Sequence, residues 1–110
     1  MLSIIVPVYN EEDNLNILFS AIEKSVENLK LEWELILVDD GSQDGSLQKI
    51  REIVKNNPQR VSAVVLRRNF GQTAAIAAGL DHARGEIVVL GDTLHVRIAE
   101  ILGAEEEETQ

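Results

Sequence analysis

Apolar and polar positions follow two rhythms along this chain. Four short, nearly continuous apolar runs rich in Val, Ile and Leu fall at residues 3–8, 34–38, 61–66 and 86–90. That is the pattern of strands covered on both faces. Between them, apolar residues recur every three or four positions: Leu15, Leu18, Ile22, Val26 and Leu29, then Leu47, Ile50, Ile53 and Val54. Each stripe predicts a helix with one face on a core. The second helix is expected to stop at Asn57-Pro58. A third, Ala-rich helix is predicted from about 71 to 83, closed by Arg84-Gly85 with Gly85 as a left-handed C′ cap.

The resulting order is β-α-β-α-β-α-β. Strands alternating with helices imply an α/β fold of three layers, a mostly parallel sheet with right-handed crossovers placing helices on its faces. A length of 110 residues suits one such domain. It is expected to span 1–92, followed by a divergent C-terminal segment, 93–110. In that segment Leu94, Val96 and Ile98 alternate like a strand, whereas Ile98, Ile101 and Leu102 suit a helix; the helix is favoured. The acidic run at 105–108 reads as a solvated tail.

Composition narrows the function. The chain is 45% hydrophobic and 26% charged, and no apolar run approaches the ~20 residues of a membrane-spanning helix. Residues 1–8 read as a strand and not as a signal peptide. There are no cysteines, which excludes disulfides, thiolate metal sites and cysteine nucleophiles, and fits a cytoplasmic setting. Ten basic against 19 acidic residues give a formal charge of −9. Such a surface repels phosphate polymers, so no nucleic-acid partner is expected. His82 and His95 lack the paired spacing of a zinc site and read as surface or capping residues, while Trp33 and Phe19 read as core.

In parallel sheets, ligands bind beyond the carboxyl ends of the strands, where strand order reverses. The residues after each predicted strand therefore carry the candidate chemistry. After the first, Tyr9-Asn10-Glu11 offers a ring that can stack on a base and a carboxylate that can read donors. The same residues equally suit a helix start, with Asn10 as N-cap and Glu11, Glu12 and Asp13 at the positive helix end. After the second, Asp39-Asp40-Gly41-Ser42 offers one carboxylate to a nucleobase or ribose while the other caps the next helix with Ser42 or Asp44. Both carboxylates acting only as caps is the plainer alternative. After the third, Arg67, Arg68 and Asn69 precede a helix start and suit either a diphosphate or solvent.

Taken in order, Ile4-Ile5-Val6-Pro7-Val8-Tyr9-Asn10-Glu11-Glu12, Val38-Asp39-Asp40-Gly41-Ser42, Arg68-Asn69-Phe70-Gly71-Gln72 and Gly85-Glu86-Ile87-Val88-Val89-Leu90 resemble the family 2 glycosyltransferases of the GT-A fold. The Arg-Asn-Phe-Gly segment resembles the branch that moves sugars onto polyprenyl phosphate, which would place the protein at the membrane face. The resemblance implies a Rossmann-like nucleotide-binding half that takes a nucleoside-diphosphate sugar, UDP- or GDP-linked. Pro7, Tyr9 and Glu11 would line the base and ribose pocket, Val38 and Asp40 would continue it, and Arg68 would assist near the phosphates. In a complete protein the sugar would pass, with inversion, to an acceptor such as a lipid phosphate.

Two departures qualify that expectation. The family carries Asp-x-Asp after the last of these strands, holding Mg²⁺ or Mn²⁺ on the donor diphosphate. Here Gly91 and Thr93 stand at the acidic places, and Asp92 between them is the remaining metal candidate, through a shifted register. The acceptor-binding half of the family is also not visible, so exposed sheet edges and self-association are expected. The alternative reading is a non-catalytic module that binds only nucleotide or a partner. A phospho-acceptor signalling domain is disfavoured: it needs its acidic pair after the first strand and a later lysine, and none follows Lys55.

Overall fold

The computed structural model describes residues 1–27 and 30–89. Among them, β1 (Leu2–Val8), α1 (Leu15–Val26), β2 (Trp33–Asp39), α2 (Ser46–Asn56), β3 (Val61–Val65), α3 (Gln72–Leu80) and β4 (Glu86–Val89) follow one another in the expected alternation. All strand pairs are parallel and the sheet order is β3-β2-β1-β4. The chain steps outward from β1 to β2 to β3, then returns to the opposite side of β1. The loop after β1 therefore stands at the point where strand order reverses.

Strand geometry sorts the apolar runs into two cores, because successive side chains point to opposite faces. Ile4, Val6 and Val8 join Leu35 and Leu37 on one face, where Leu15, Ile22 and Val26 of α1 and Ile50 and Ile53 of α2 cover them. Ile5, Ile36 and Val38 face the other way and meet Ala75 of α3. The three layers expected from the alternation are thus present. All seven residues of β2 are buried, which explains why its sequence reads as a continuous apolar run. Trp33 and the partly buried Phe19 belong to the larger core, as expected, and the Arg60 guanidinium sits 5.0 Å from the Trp33 ring centroid.

The Ala-rich sequence of α3 has a packing reason. A Cβ at Gly79 would lie 2.5 Å from Ile5 Cγ2 and 3.1 Å from Val38 Cγ2. Only a glycine there lets the helix settle on the sheet, and that closeness fixes where its N-terminus projects. The expected C′ role of Gly85 is not what the structure shows. α3 ends at Leu80, and Gly85 keeps an ordinary negative-φ backbone. Its missing side chain instead admits the Met1 carbonyl, with which a Cβ would collide. The constraint on Gly85 is a contact across the sheet edge, invisible to local helix grammar.

At the same edge a buried polar cluster ties β1, β2 and the α3–β4 connection together. Ser3 Oγ donates to Glu34 Oε2 at 2.6 Å, the Arg84 amide donates to the same oxygen at 2.8 Å, and Arg84 Nε reaches Glu34 Oε1 at 3.2 Å. The Gly85 amide closes the circuit on Ser3 Oγ at 2.9 Å. Burial pushes the Glu34 carboxyl up, but the bonds from Ser3 and Arg84 and the Arg84 charge together hold it below 4.5.

Leu29 of the first predicted stripe, Leu90 of the last strand, Asp92, His95, the 92/93 boundary and the helix favoured for the C-terminal segment lie outside the described residues. No helix among the described residues is long and apolar enough to cross a membrane. Met1, Leu80 and Ile87 are exposed, and β4 has no outer strand partner among the described residues.

Glu34→Ala strands Ser3 Oγ and the Arg84 amide, so urea unfolding is expected to show a loss of about 2–3 kcal/mol. In the parent chain the folded Glu34 value lies below the unfolded one. Its contribution is therefore full above pH 4.5 and lost as pH falls through the folded value. The stability difference between parent and Glu34→Ala should shrink in that acidic window; a constant difference would contradict the assignment.

Candidate functional site

Three loops leave the carboxyl ends of β1, β2 and β3, and hydrogen bonds between distant residues lock them together. Asn10 adopts φ 51, a left-handed conformation that asparagine tolerates better than most residues. Its amide donates to Ser42 Oγ at 3.0 Å and its Oδ1 accepts from the Gln43 amide at 2.8 Å. Glu11 N–H donates to Ser46 Oγ at 2.7 Å, and Glu12 N–H to Asp44 Oδ2 at 3.3 Å. Asn10 is therefore a cross-loop fastener and not the N-cap that its sequence context suggested. A turn at residues 11–14, with the Asn14 and Leu15 amides on the Glu11 carbonyl, separates it from α1.

The acidic pair divides its work. Asp39 completes β2, and its Oδ2 accepts from the Ser42 amide at 3.3 Å; its Oδ1 is buried with no partner among the described residues. Neither expected cap takes the N-cap position of α2, which is Gly45; Asp44, just before it, accepts from the Ser46 amide through Oδ1 at 2.9 Å, while Ser42 turns to Asn10. The Ser46 hydroxyl does most to hold the Asp44 carboxyl below 3.8; desolvation opposes it, and the Ser46 and Glu12 amides add to the lowering.

Asp40 does something different. It is 3% exposed, and its carboxylate reaches across to the loop after β3. Oδ1 accepts from the Phe70 amide at 2.8 Å; Oδ2 accepts from the Gly71 amide at 3.1 Å and from Asn69 Nδ2 at 3.1 Å. Asn69 Nδ2 also lies 3.2 Å from the Asp40 carbonyl oxygen. The two loops approach so closely that a Cβ on Gly41, at φ 71, would strike the Arg68 backbone. Gly71, at φ 100, supplies the turn that starts α3.

The product is an open cleft of about 270 Å³ lined by Pro7, Val8, Tyr9, Glu11, Asp40, Asn69, Gly71 and Gln72. It lies just below the ~300–1,000 Å³ range of small-ligand pockets, room for part of a nucleotide. Tyr9 is 44% exposed, leaving ring surface available to a ligand. Of the residues expected from sequence, Pro7, Tyr9, Glu11 and Asp40 come together here. Val38 does not line the cleft; it is fully buried against α3. Arg68 also points elsewhere, its guanidinium 4.5 Å from the Phe70 ring centroid, beside a neighbouring cavity that includes Asp39, Ser42 and Arg67. In the sequence Asn69 reads only as part of the Arg67–Asn69 group that suits a diphosphate or solvent, and Gln72 only as the end of a motif, yet both line the cleft. The signal available for them was their position flanking Gly71 at a helix start.

The exposed His82 lies 2.9 Å through Nδ1 from the Ala78 carbonyl oxygen, in keeping with a surface role. Among the described residues no group of three or more His, Cys, Asp or Glu could hold a metal ion. These residues alone do not fit a divalent cation.

Residues 3–93 match the family model described as glycosyl transferase family 2. The chain belongs to that family. Among relatives of this family 2 chain, an undecaprenyl-phosphate 4-deoxy-4-formamido-L-arabinose transferase of Proteus mirabilis is 44% identical over 90 residues, which are 82% of the chain and 28% of the relative. A dodecaprenyl-phosphate galacturonate synthase of Rhizobium johnstonii is 43% identical over 91 residues, 83% of the chain and 27% of the relative. Among solved structures, a mannosyltransferase of Pyrobaculum calidifontis in complex with GDP-Man and Mn²⁺ superposes with a TM-score of 0.73 at 26% identity, covering 82% of the chain and 26% of that protein. S. aureus TarS in complex with UDP-GlcNAc gives 0.69 at 28% identity, covering 82% and 26%. The family 2 chain thus spans about a quarter of the length of these proteins, and the GT-A reading of its fold stands.

Asp40→Ala removes three bonds to one carboxylate and is expected to cost about 2–4 kcal/mol. Hydrogen exchange at the Phe70 and Gly71 amides should accelerate far more than at β2 amides. Uniform acceleration would mean that the carboxylate does not brace the loop.

Proposed function

We propose that this chain is the donor-nucleotide half of an inverting glycosyltransferase that takes a nucleoside-diphosphate sugar and delivers the sugar to a polyprenyl phosphate. The observation that carries the reading is the cleft itself. It lies at the carboxyl edge of a parallel sheet, beside the strand-order reversal, with an exposed Tyr9 ring and two carboxylates, Glu11 and Asp40, on its walls. In this reading Tyr9 stacks on the base, Asp40 accepts a base N–H, and Glu11 accepts from ribose hydroxyls. Pro7 shapes the floor, and Val38 contributes by packing the strand beneath. Arg68, four residues before the start of α3, serves the diphosphate by leaving its Phe70 stack. A divalent cation, when bound, would neutralise charge on the leaving diphosphate; Asp92 is this chain's own oxygen donor for it.

The names of the two polyprenyl-phosphate relatives support the acceptor class. An acceptor phosphate is already anionic, so the reaction needs no general base to create the nucleophile. The same acceptor would bring the protein to the cytoplasmic face of a membrane.

One observation favours a second reading, nucleotide binding without sugar transfer. Gly91 and Thr93 occupy the places where the resemblance expects metal-holding acids. In that case binding should be indifferent to Mn²⁺ and no sugar should reach a polyprenyl phosphate.

Calorimetric titration of UDP-GlcNAc and GDP-Man into the purified chain tests the first reading. Binding to one of them is expected, and Tyr9→Ala should weaken it by about five- to tenfold through loss of stacking. A folded chain that binds neither, or a Tyr9→Ala variant that binds equally well, would overturn the cleft as a nucleotide site.

A further inference from the structure

Residues 94–110 lie beyond the family match at 3–93, so the acidic run at 105–108 belongs to this chain and not to the family pattern. Sequence alone reads it as a solvated tail; the fold sets a basic surface within its reach. Arg67 and Arg68 are the only two cations adjacent in the sequence, and both are exposed at the carboxyl end of β3. Neither has a carboxylate partner among the described residues, where Arg84 with Glu34 forms the one ion pair. Val65, 47% exposed, lines with Leu47 and Leu66 the open cavity of about 430 Å³ that the two arginines border. Asp39, at the same cavity, is buried.

The two segments match in their order of residues. On the surface, Val65 and Leu66 run into Arg67 and Arg68; near the C-terminus, Ile101 and Leu102 are followed, after Gly103 and Ala104, by Glu105–Glu108. Reach is not limiting. All strands are parallel, so β4 ends toward the edge that carries Arg67, three strand spacings or roughly 15 Å away. Residues 90–105 cover about 24 Å as a helix and about 50 Å when extended. One exposed ion pair contributes little. Four glutamates tethered near two arginines, however, meet them at an effective concentration on the order of millimolar. A chain of formal charge −9 also repels them from much of its remaining surface.

We propose that residues 101–108 dock on the Arg67–Arg68 cavity of the same molecule, as an internal anionic ligand. The glutamates pair with the two guanidinium groups, and Ile101 and Leu102 cover Val65, Leu66 and Leu47. The contact has a consequence that rests on the nucleotide reading above. That reading gives Arg68 to the donor diphosphate, so the docked glutamates compete with the donor for it.

The chain has no cysteine, so Gln110→Cys carries a single nitroxide spin label beside the acidic run. At low salt the amide signals of Val65–Phe70 are expected to lose at least about half their intensity, while Trp33 and Arg60 at the opposite end keep theirs. Salt at about 0.5 M, where screening acts within ~4 Å, should restore the lost signals. So should Arg67→Gln with Arg68→Gln, both exposed, in a spectrum otherwise unchanged. No broadening in the parent, or broadening that survives the double variant, would overturn the contact. Broadening that arises only from a spin-labelled second copy would overturn its intramolecular form. Glu105→Gln, Glu106→Gln, Glu107→Gln and Glu108→Gln together should tighten UDP by about threefold or more in calorimetry at low salt. Equal UDP affinities would overturn the competition. A folded chain that binds no UDP with or without the four glutamates would overturn the nucleotide reading, and the spin label would still decide the contact.

Discussion

The architecture of the cleft depends on one buried carboxylate. Asp40 stands just beyond the end of β2, and its two oxygens hold the Phe70 and Gly71 amides and the Asn69 side chain. Without it, the loop after β3 would have to find other partners for those donors, and the start of α3 would lose its anchor. Buried polar groups must be paired, so the loop has little choice of conformation. A charge-assisted network of this kind also arrives preassembled, since a ligand does not have to order the wall it meets. The site is thus built by the same residue that the proposed function asks to read the base.

The remaining constraints serve that placement. Gly79 lets α3 lie against Ile5 and Val38, and Gly41 lets the loops after β2 and β3 touch backbone to backbone. At the opposite edge, Ser3, Glu34 and Arg84 fasten the connection that returns the chain to β4. Between the two edges, a wholly buried β2 carries both cores. Each edge has its own polar fastening, and the apolar layers hold the distance between them.

How much of this was legible in the sequence follows from the range of each interaction. Strands and helices were readable because burial imposes a period on neighbouring residues: Ile4, Val6 and Val8 on one face, and Ile5 on the other. The alternation of elements implied the parallel sheet and the edge at which chemistry would gather. Contacts between residues some thirty to eighty positions apart left no local trace. Asn10 read as a helix cap because its neighbours are acidic, yet its partners are Ser42 and Gln43. Gly85 read as a helix end, yet it is glycine because of Met1. Gln72 reads only as the end of a motif, because nothing in its own segment reveals that it lines the cleft beside Asp40. Arg68 was assigned by motif, and a side chain's direction, here toward Phe70, is a property of packing and not of motif.

The most direct test of the central claim, that the cleft braced by Asp40 is the nucleotide site, is a two-dimensional amide NMR titration of the chain with UDP. Shifts are expected to concentrate on Tyr9, Glu11, Asp40, Phe70, Gly71 and Gln72, with the Trp33–Arg60 end of the sheet unmoved. Shifts centred on that opposite end, or no shifts in a spectrum of a folded chain, would contradict it.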